Sequence, residues 1–493
     1  MILFKKKREA KDRPDNTKTT GYKQWLKKAY EKRYAIILIL LVIFSFLLSY
    51  DEIKVVENDR EYIAIDALEY LSLAENLDRG NGYKITVGAT FESEKETSYR
   101  TPGYPFFIYA MRKIFGDQNY ISAVILYQHF LLGFLPLLFY YLTLLIGNRR
   151  KYALFAAIIT TLFFPFRYLA NIVHPDFLGL FCLLVSICFL LSHLKRKNIF
   201  KLLLFSFFLM SAIMTKQNLI SLCVLFIFPL PKFLKRKEYL VTLIFPFLFI
   251  STWVVRNVLV QREFPVFVSN GGFNFYIANN PELKTDLSNI TQFNGTMKQL
   301  MKNGLSEVEA DRELYRQGFA NMKKNGFPWQ VKRILKKIGV TFRDYYPPAR
   351  NEIFFLLLPF VLVMPQKKYP LIFLILYQFI HSIISYQPHI SLSGFFHANL
   401  MDITSLNFIG LASLFLLLWF IRPGQGIRML AAVYLLILAP VFVFIPLDRL
   451  TIMTDFVLII AYSLSPFVLG KLYRKKEEGE VDGDLKKKNF KSL

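Results

Sequence analysis

The sequence predicts an all-α polytopic membrane protein of about twelve transmembrane helices, on three observations. Of its 493 residues, 54% are hydrophobic and 16% aromatic, with a mean hydropathy of +0.34. The apolar residues are gathered into runs, many near the roughly 20 residues that a helix needs to cross the hydrocarbon core. The cations that give a net charge of +25 sit in tails and short connectors between those runs. That distribution is a topology signal and a contact for anionic lipid headgroups, rather than the single basic module of a nucleic-acid binder.

The predicted spans cover residues 35–50, 120–146, 153–170, 177–192, 199–215, 218–231, 239–260, 352–364, 369–386, 403–421, 427–446 and 452–470. Lysine and arginine clusters set their orientation. Lys5-Lys6-Lys7-Arg8 and Lys27-Lys28 precede the first span. Arg149-Arg150-Lys151, Lys195-Arg196-Lys197, Lys235-Arg236-Lys237 and Lys367-Lys368 lie in connectors, and Arg474-Lys475-Lys476 and Lys486-Lys487-Lys488 follow the last span. Alternating spans place all of these on the cytoplasmic side, with both termini. The chain then divides into a basic cytoplasmic tail at 1–34, a transmembrane domain at 35–470 and a charged cytoplasmic tail at 471–493. The first span is not expected to be a cleaved signal peptide, because a long polar stretch precedes it and no small-residue cleavage site follows. Cys182, Cys188 and Cys223 fall inside apolar runs, as small buried hydrophobes do.

Two long segments are expected on the outer side, a first loop at 51–119 and a second segment at about 261–350. In the first, Ile65, Leu68, Leu71, Ala74 and Leu77 recur at near-helical spacing and predict a helix near 65–79. In the second, Glu307 to Lys337 reads as a helix, either at the headgroup level or packed on the membrane domain.

The polar motifs collect on that outer side. Asp66 and Glu69 share a helix face, which Tyr70 extends. A carboxylate there can serve as a general base, or belong to a solvated acidic face. Arg100 precedes Thr101-Pro102-Gly103-Tyr104-Pro105, a rigid turn. An arginine so placed can meet phosphate, pair with a carboxylate or cap a helix. His174-Pro175-Asp176 reads as a helix start with a carboxylate at the positive end of the dipole. Lys216 stands at the next outer turn, and Arg256-Asn257 ends the seventh span after Trp253. Gly271-Gly272-Phe273-Asn274-Phe275-Tyr276 follows, where glycines allow close backbone approach and aromatics can stack on sugar rings. The remaining histidines show no metal-ligand spacing, and no nucleophile triad, P-loop or dinucleotide fingerprint is present.

Together these motifs resemble the GT-C glycosyltransferases, in particular the bacterial branch of protein O-mannosyltransferase-like and aminoarabinose-transferase-like proteins. The resemblance rests on Asp66, Glu69-Tyr70, Leu73-Ala74-Glu75-Asn76, Gly80-Asn81-Gly82-Tyr83, the turn from Arg100 to Pro105 and Phe115-Gly116. Pro175-Asp176 and the Trp253, Arg256, Asn257 pattern extend it over residues 60–280. Two departures stand out. Lys216-Gln217 occupies the place of a frequent Arg-Pro, and Phe396-His397-Ala398-Asn399 that of an Arg-Tyr pair.

The resemblance implies a membrane glycosyltransferase of the cell envelope, in a bacterial inner membrane. It would move a sugar from a polyprenyl-phosphate donor to a lipid, glycan or protein acceptor by inverting single displacement. Asp66, Glu69 and Asp176 would be catalytic, with Asp66 the base. Arg100, Lys216 and Arg256 would hold the donor phosphate, and Tyr70, Tyr104, Asn257 and Asn274 would contact substrate. No cofactor follows from the motifs, and a divalent cation held by the acids is left open. A flippase for a lipid-linked glycan, or an O-antigen polymerase or ligase, would draw on the same cations.

Overall fold

A computed structural model describes residues 32–50, 66–227, 237–263, 267–283, 290–341, 413–414, 425–443, 453, 455–461 and 463–464. Among these, all regular structure is helical. Four helices are long and apolar enough to cross a membrane: Lys32–Tyr50 (α1), Tyr120–Gly147, Pro175–Lys195 and Tyr239–Gln261. A fifth arises if the bent pair Arg150–Leu162 and Pro165–Asn171, joined at 49°, is one span. The protein is therefore an integral membrane protein. The expected spans at 352–364 and 369–386 lie outside the described residues. Those at 403–421 and 452–470 lie there in large part, as do most of the two tails.

The boundaries follow local chemistry. The first-loop helix α2 spans Ala67–Asp78 and α3 spans Gly103–Phe115, starting directly after Pro102. Tyr120–Gly133 (α4) and Leu135–Gly147 (α5) form the long second span. Arg150–Leu162 (α6) and Phe164–Asn171 (α7) replace the continuous helix expected at 153–170. Pro165 explains the break, because proline pushes the preceding turn out of helical geometry. Pro175–Lys195 (α8) and Ile199–Thr215 (α9) follow as expected.

The expected span at 218–231 differs. Gln217–Cys223 is a 3₁₀ helix leading into the short Val224–Ile227 (α10). At about 2.0 Å of rise per residue the 3₁₀ portion is stretched relative to an α-helix, and its bonding geometry is poorer. Ile244–Gln261 (α11) closes this half.

Helix α8 is central: 67% of its apolar stretch is buried, against 11% for Tyr239–Gln261 and 22% for α1. The last two turn Phe247, Val255, Leu259, Ile36 and Ile39 outward, as lipid-facing helices do. The core around α8 is contributed by Leu180, Leu183, Leu184 and Ile187, packed with Phe205, Leu209 and Ile213 of α9 and Phe139 and Leu142 of α5.

The second outer segment contains Gly271–Ala278 (α12), Thr296–Lys302 (α13) and Glu307–Thr341 (α14). The expected helix from Glu307 to Lys337 is present but broken at Gly326 (φ 77°), just before Pro328. Its first half packs on α12, with Leu314 buried. The Gly271-Gly272 pair permits this approach: a Cβ on Gly272 would stand 1.9 Å from the carbonyl oxygen of Asp311.

Candidate active site

The site grows from the N-terminal end of α2, where Asp66, Glu69 and Tyr70 project toward the irregular chain between α2 and α3. That chain, residues 79–102, is pinned by motif residues. Asn76 Nδ2 donates to the Lys84 carbonyl (3.1 Å) and Thr86 Oγ1 (3.0 Å), and Ser72 Oγ accepts from the backbone N–H groups of Thr86 (2.9 Å) and Val87 (3.1 Å). The Tyr83 hydroxyl donates to the carbonyls of Arg100 and Thr101, each at 3.0 Å. Much of the motif string from Ser72 to Tyr83 is thus scaffolding that fixes where Arg100 stands.

Arg100 is the hub. Its Nε and Nη2 lie 2.8 Å and 2.6 Å from Oε2 of Glu69, whose side chain is fully buried. The other Glu69 oxygen accepts from the Thr90 N–H (3.1 Å) and the Thr90 hydroxyl. Tyr70 and Tyr99 flank the guanidinium, each ring centroid 5.2 Å from its carbon. Burial would favour loss of the Arg100 proton, but the carboxylates of Glu69 and Asp66 outweigh it and keep the cation charged. Burial also pushes the Tyr70 phenol up, so it stays protonated.

A second ion pair arrives from α8 and α9. Pro175 opens α8 and Asp176 occupies its first turn, fully buried. Lys216, immediately after α9, brings its Nζ onto Oδ1 of Asp176. His174 Nδ1 lies 2.7 Å from the other Asp176 oxygen, and His174 Nε2 lies 3.6 Å from Oδ2 of Asp66. The Asp66 Oδ1 atom is 3.6 Å from Nη2 of Arg100.

Asp66 therefore stands between the two ion pairs, at longer range from each than their own members are from one another. Its side chain is 25% exposed, against 0% for Glu69 and Asp176. Two buried carboxylates have tight cationic partners, and the third faces outward.

The meeting of these segments depends on Gly103. A Cβ there would come within 2.7 Å of the backbone at Met214 and Thr215, so only glycine lets the start of α3 lie on the end of α9. That contact lays the turn after Arg100 against the residues just before Lys216, across a gap of more than a hundred residues.

The structure unites Asp66, Glu69, Tyr70, Arg100, Asp176 and Lys216. It places Tyr104 behind them, fully buried, its ring 5.5 Å and 89° from Tyr70 and its hydroxyl donated to Gln128 Oε1 at 3.0 Å. Tyr104 thus packs edge-on against Tyr70, behind the acids and Arg100. Arg256 approaches the loop from another flank: its Nη1 donates to the Thr97 carbonyl (2.5 Å) and Asn257 Oδ1 (3.1 Å), and its Nη2 lies 3.7 Å from Glu96. Asn257 is buried beneath it. Asn274 folds onto the Asn270 carbonyl within α12, at 3.0 Å. Phe396-His397-Ala398-Asn399 lies outside the described residues.

Three participants were missed as such in the sequence. His174 was visible in its motif, but its place between two aspartates needed the fold. Tyr99 and Thr90 carried no signal beyond proximity to Arg100. As for a cation, the carboxylates here are matched by Arg100, Lys216 and His174. Among the described residues no group of three or more His, Cys, Asp or Glu side chains is placed to hold a metal ion.

No protein-family model and no curated protein matches the chain. Among solved structures it is similar to the oligosaccharyltransferase of Archaeoglobus fulgidus in the apo form, at 12% identity and a TM-score of 0.46 over 90% of this chain and 52% of that one. It is also similar to the same archaeal enzyme, AglB, in complex with an inhibitory peptide and a dolichol-phosphate, at 13% identity and a TM-score of 0.45 over 92% and 52%. A third is ArnT from Cupriavidus metallidurans bound to undecaprenyl phosphate, at 13% identity and a TM-score of 0.33 over 89% and 78%. The chain spans about half the length of the archaeal enzymes it matches.

Proposed function

We propose that this protein transfers a sugar from a polyprenyl-phosphate donor to an acceptor on the extracytoplasmic face of a bacterial inner membrane, with both termini in the cytoplasm. One observation carries the reading: Asp66 is the part-exposed carboxylate of a cluster whose other two acids are fully buried. A base must reach the nucleophile, and its neighbours must hold it in place.

The chemistry follows. Asp66 accepts the proton of the acceptor hydroxyl or amine. The nucleophile attacks the anomeric carbon as the bond from that carbon to the phosphate oxygen breaks, and polyprenyl phosphate departs with the electron pair. A single base and a displaced phosphate give inversion. Arg100, held by Glu69 beside Asp66, and Lys216, held by Asp176 on the other side of His174, are the cations that meet the growing negative charge on the leaving group. Lipid-facing helices such as Tyr239–Gln261 supply an apolar surface for the prenyl tail. Glu69 and Asp176 act as positioning residues, each fixing one cation.

The test is turnover in nanodiscs with radiolabelled undecaprenyl-phosphate sugars, with Asp66→Asn alongside. Release of undecaprenyl phosphate by wild type and its loss in a folded Asp66→Asn protein is the expected result. Equal release by both removes Asp66 as the base. Tight binding without bond cleavage, for every acceptor class offered, points to a carrier.

A further inference from the structure

Asn270 lies outside every motif assigned above, and Gln217 stands where the resembled family often has proline. Asn270 precedes α12 and is 1% exposed. Gln217, next to Lys216, opens the 3₁₀ helix. Gln217 Nε2 donates to Asn270 Oδ1 at 2.7 Å. The two remaining amide atoms, Gln217 Oε1 and Asn270 Nδ2, are both buried and have no hydrogen-bond partner among the described residues. Leaving one such atom unmatched costs about 1–3 kcal/mol, so an open pair in the same place calls for an explanation.

Their place in the molecule supplies one. A circuit of contacts runs from Asp66 to Arg100 and along the chain to Ser98, whose Oγ donates to Ser269 Oγ at 3.2 Å. Asn270 follows Ser269 and reaches Gln217, which adjoins Lys216. Lys216 pairs with Asp176, Asp176 faces His174, and His174 returns to Asp66. Glu307 clamps the far side by accepting from the Ser98 N–H and hydroxyl, each at 2.9 Å. Contacts thus tie the amide pair to the segments that carry the base and the cations, through Ser269 on one side and Lys216 on the other.

We propose that the Gln217–Asn270 pair is the sugar-recognition element of this site, reading one hydroxyl of the transferred sugar. The inference rests on the transferase reading above. One open donor beside one open acceptor is the complement of a hydroxyl, which both donates and accepts. A phosphate oxygen, which only accepts, would leave the glutamine oxygen unmatched. Flipping both amides reverses the internal hydrogen bond but still leaves one donor and one acceptor open, so the assignment does not depend on amide orientation.

The experiment compares affinities in nanodiscs for undecaprenyl phosphate and for undecaprenyl phosphate carrying glucose, galactose or mannose. Wild type, Gln217→Met and Asn270→Leu are measured, each checked for its melting temperature. In wild type at least one phosphosugar is expected to bind about ten- to a hundredfold more tightly than the bare lipid phosphate, the worth of two hydrogen bonds. Both variants are expected to lose that preference while binding the bare lipid phosphate as before. The monodeoxy analogue lacking the hydroxyl that is read should bind wild type no better than it binds Gln217→Met.

A preference retained in both folded variants overturns the proposal and leaves the pair as a clasp between α9 and α12. No preference for any sugar in wild type overturns it as well. Failure of the transferase reading shows elsewhere, as equal turnover by wild type and Asp66→Asn, and leaves these affinity ratios readable.

Discussion

Helix α2 carries two acidic clusters that use the same parts for different ends. At its start, Asp66 and Glu69 meet Arg100 between Tyr70 and Tyr99. At its end, Glu75 and Asp78 meet Arg112, whose guanidinium carbon lies 5.0 Å from the Tyr120 ring centroid. Each arginine comes from the chain around α3, one just before it and one in its last turn. The Arg112 cluster opens to water at its rim, where Glu75 is 36% exposed, Asp117 69% and Lys113 53%, around a hub in which Arg112 is 5% and Asp78 18% exposed. Its members attract each other through a screening solvent and hold α2 to α3 and α4 as a surface clasp. The Arg100 cluster is closed by α8 and α9, which bring His174, Asp176 and Lys216. There the charges lie in a low-dielectric setting, and each must be matched. Composition does not separate a site from a clasp; the company that the tertiary structure adds does.

The sharpest way to break the comparison is to neutralise one aspartate in each cluster. Asp66→Asn should lower sugar transfer by about 10²- to 10⁴-fold, the usual contribution of a general base. Asp78→Asn should leave turnover within about twofold of wild type, as expected for a surface pair. Equal losses in the radiolabel assay would mean that both clusters act only on folding.

Removing each arginine comes next. Arg100→Ala leaves Glu69 as a buried carboxylate without its main cation and should cost about 3–5 kcal/mol of stability. Arg112→Ala should cost clearly less, since water reaches its acids. Thermal unfolding in detergent ranks the two, and a reversed order would contradict the assignment of buried site and exposed clasp.

Gly103→Ala sharpens the comparison without touching a charge. Its Cβ would push α3 away from the α9 backbone and shift the turn after Arg100 relative to Lys216, while the distant Arg112 end should shift little. The expected cost is about 1–3 kcal/mol, typical of overpacking, with a fall in turnover alongside. Unchanged activity would mean that the approach of α3 to α9 does not set the site.

The smallest effect concerns the helix that follows Asn270. Asp311 accepts from the Gly272 N–H at 2.6 Å, and burial pushes its carboxyl up to about 7, with nearby Glu307 adding to the rise. The folded protein thus holds a proton that the unfolded chain releases near 4. The stability this contributes is complete below about 4 and is lost as pH rises through about 7. Hydrogen-exchange protection over residues 271–278, corrected for the intrinsic pH dependence of exchange, should fall between about pH 4 and pH 7, and Asp311→Asn should flatten that dependence. An identical pH profile in the variant would assign the effect to another group.

Span identity was legible in the sequence because apolar run length is read against a fixed membrane thickness. Lys32–Tyr50, Pro175–Lys195 and Tyr239–Gln261 fall where the runs do. Helix α2 was legible from its period, and Pro175 announced the start of α8. The sequence also held the residue types of the site in recognisable motifs, since acids and cations in apolar surroundings are costly unless they serve a purpose.

Only the tertiary structure decided how those residues divide the work. Asp66 and Glu69 look alike on a helical wheel, yet one is sealed by Arg100 and Thr90 and the other faces out, because the loop at 79–102 folds over only one of them. Gln217 and Asn270 are common polar residues with no local signal of their pairing, and their meeting depends on α9 and α12 being brought together from distant parts of the chain. Local pattern determines elements, since it acts through backbone geometry and solvent over a few residues. The partner of a buried charge is set by long-range packing, which one stretch of sequence does not contain.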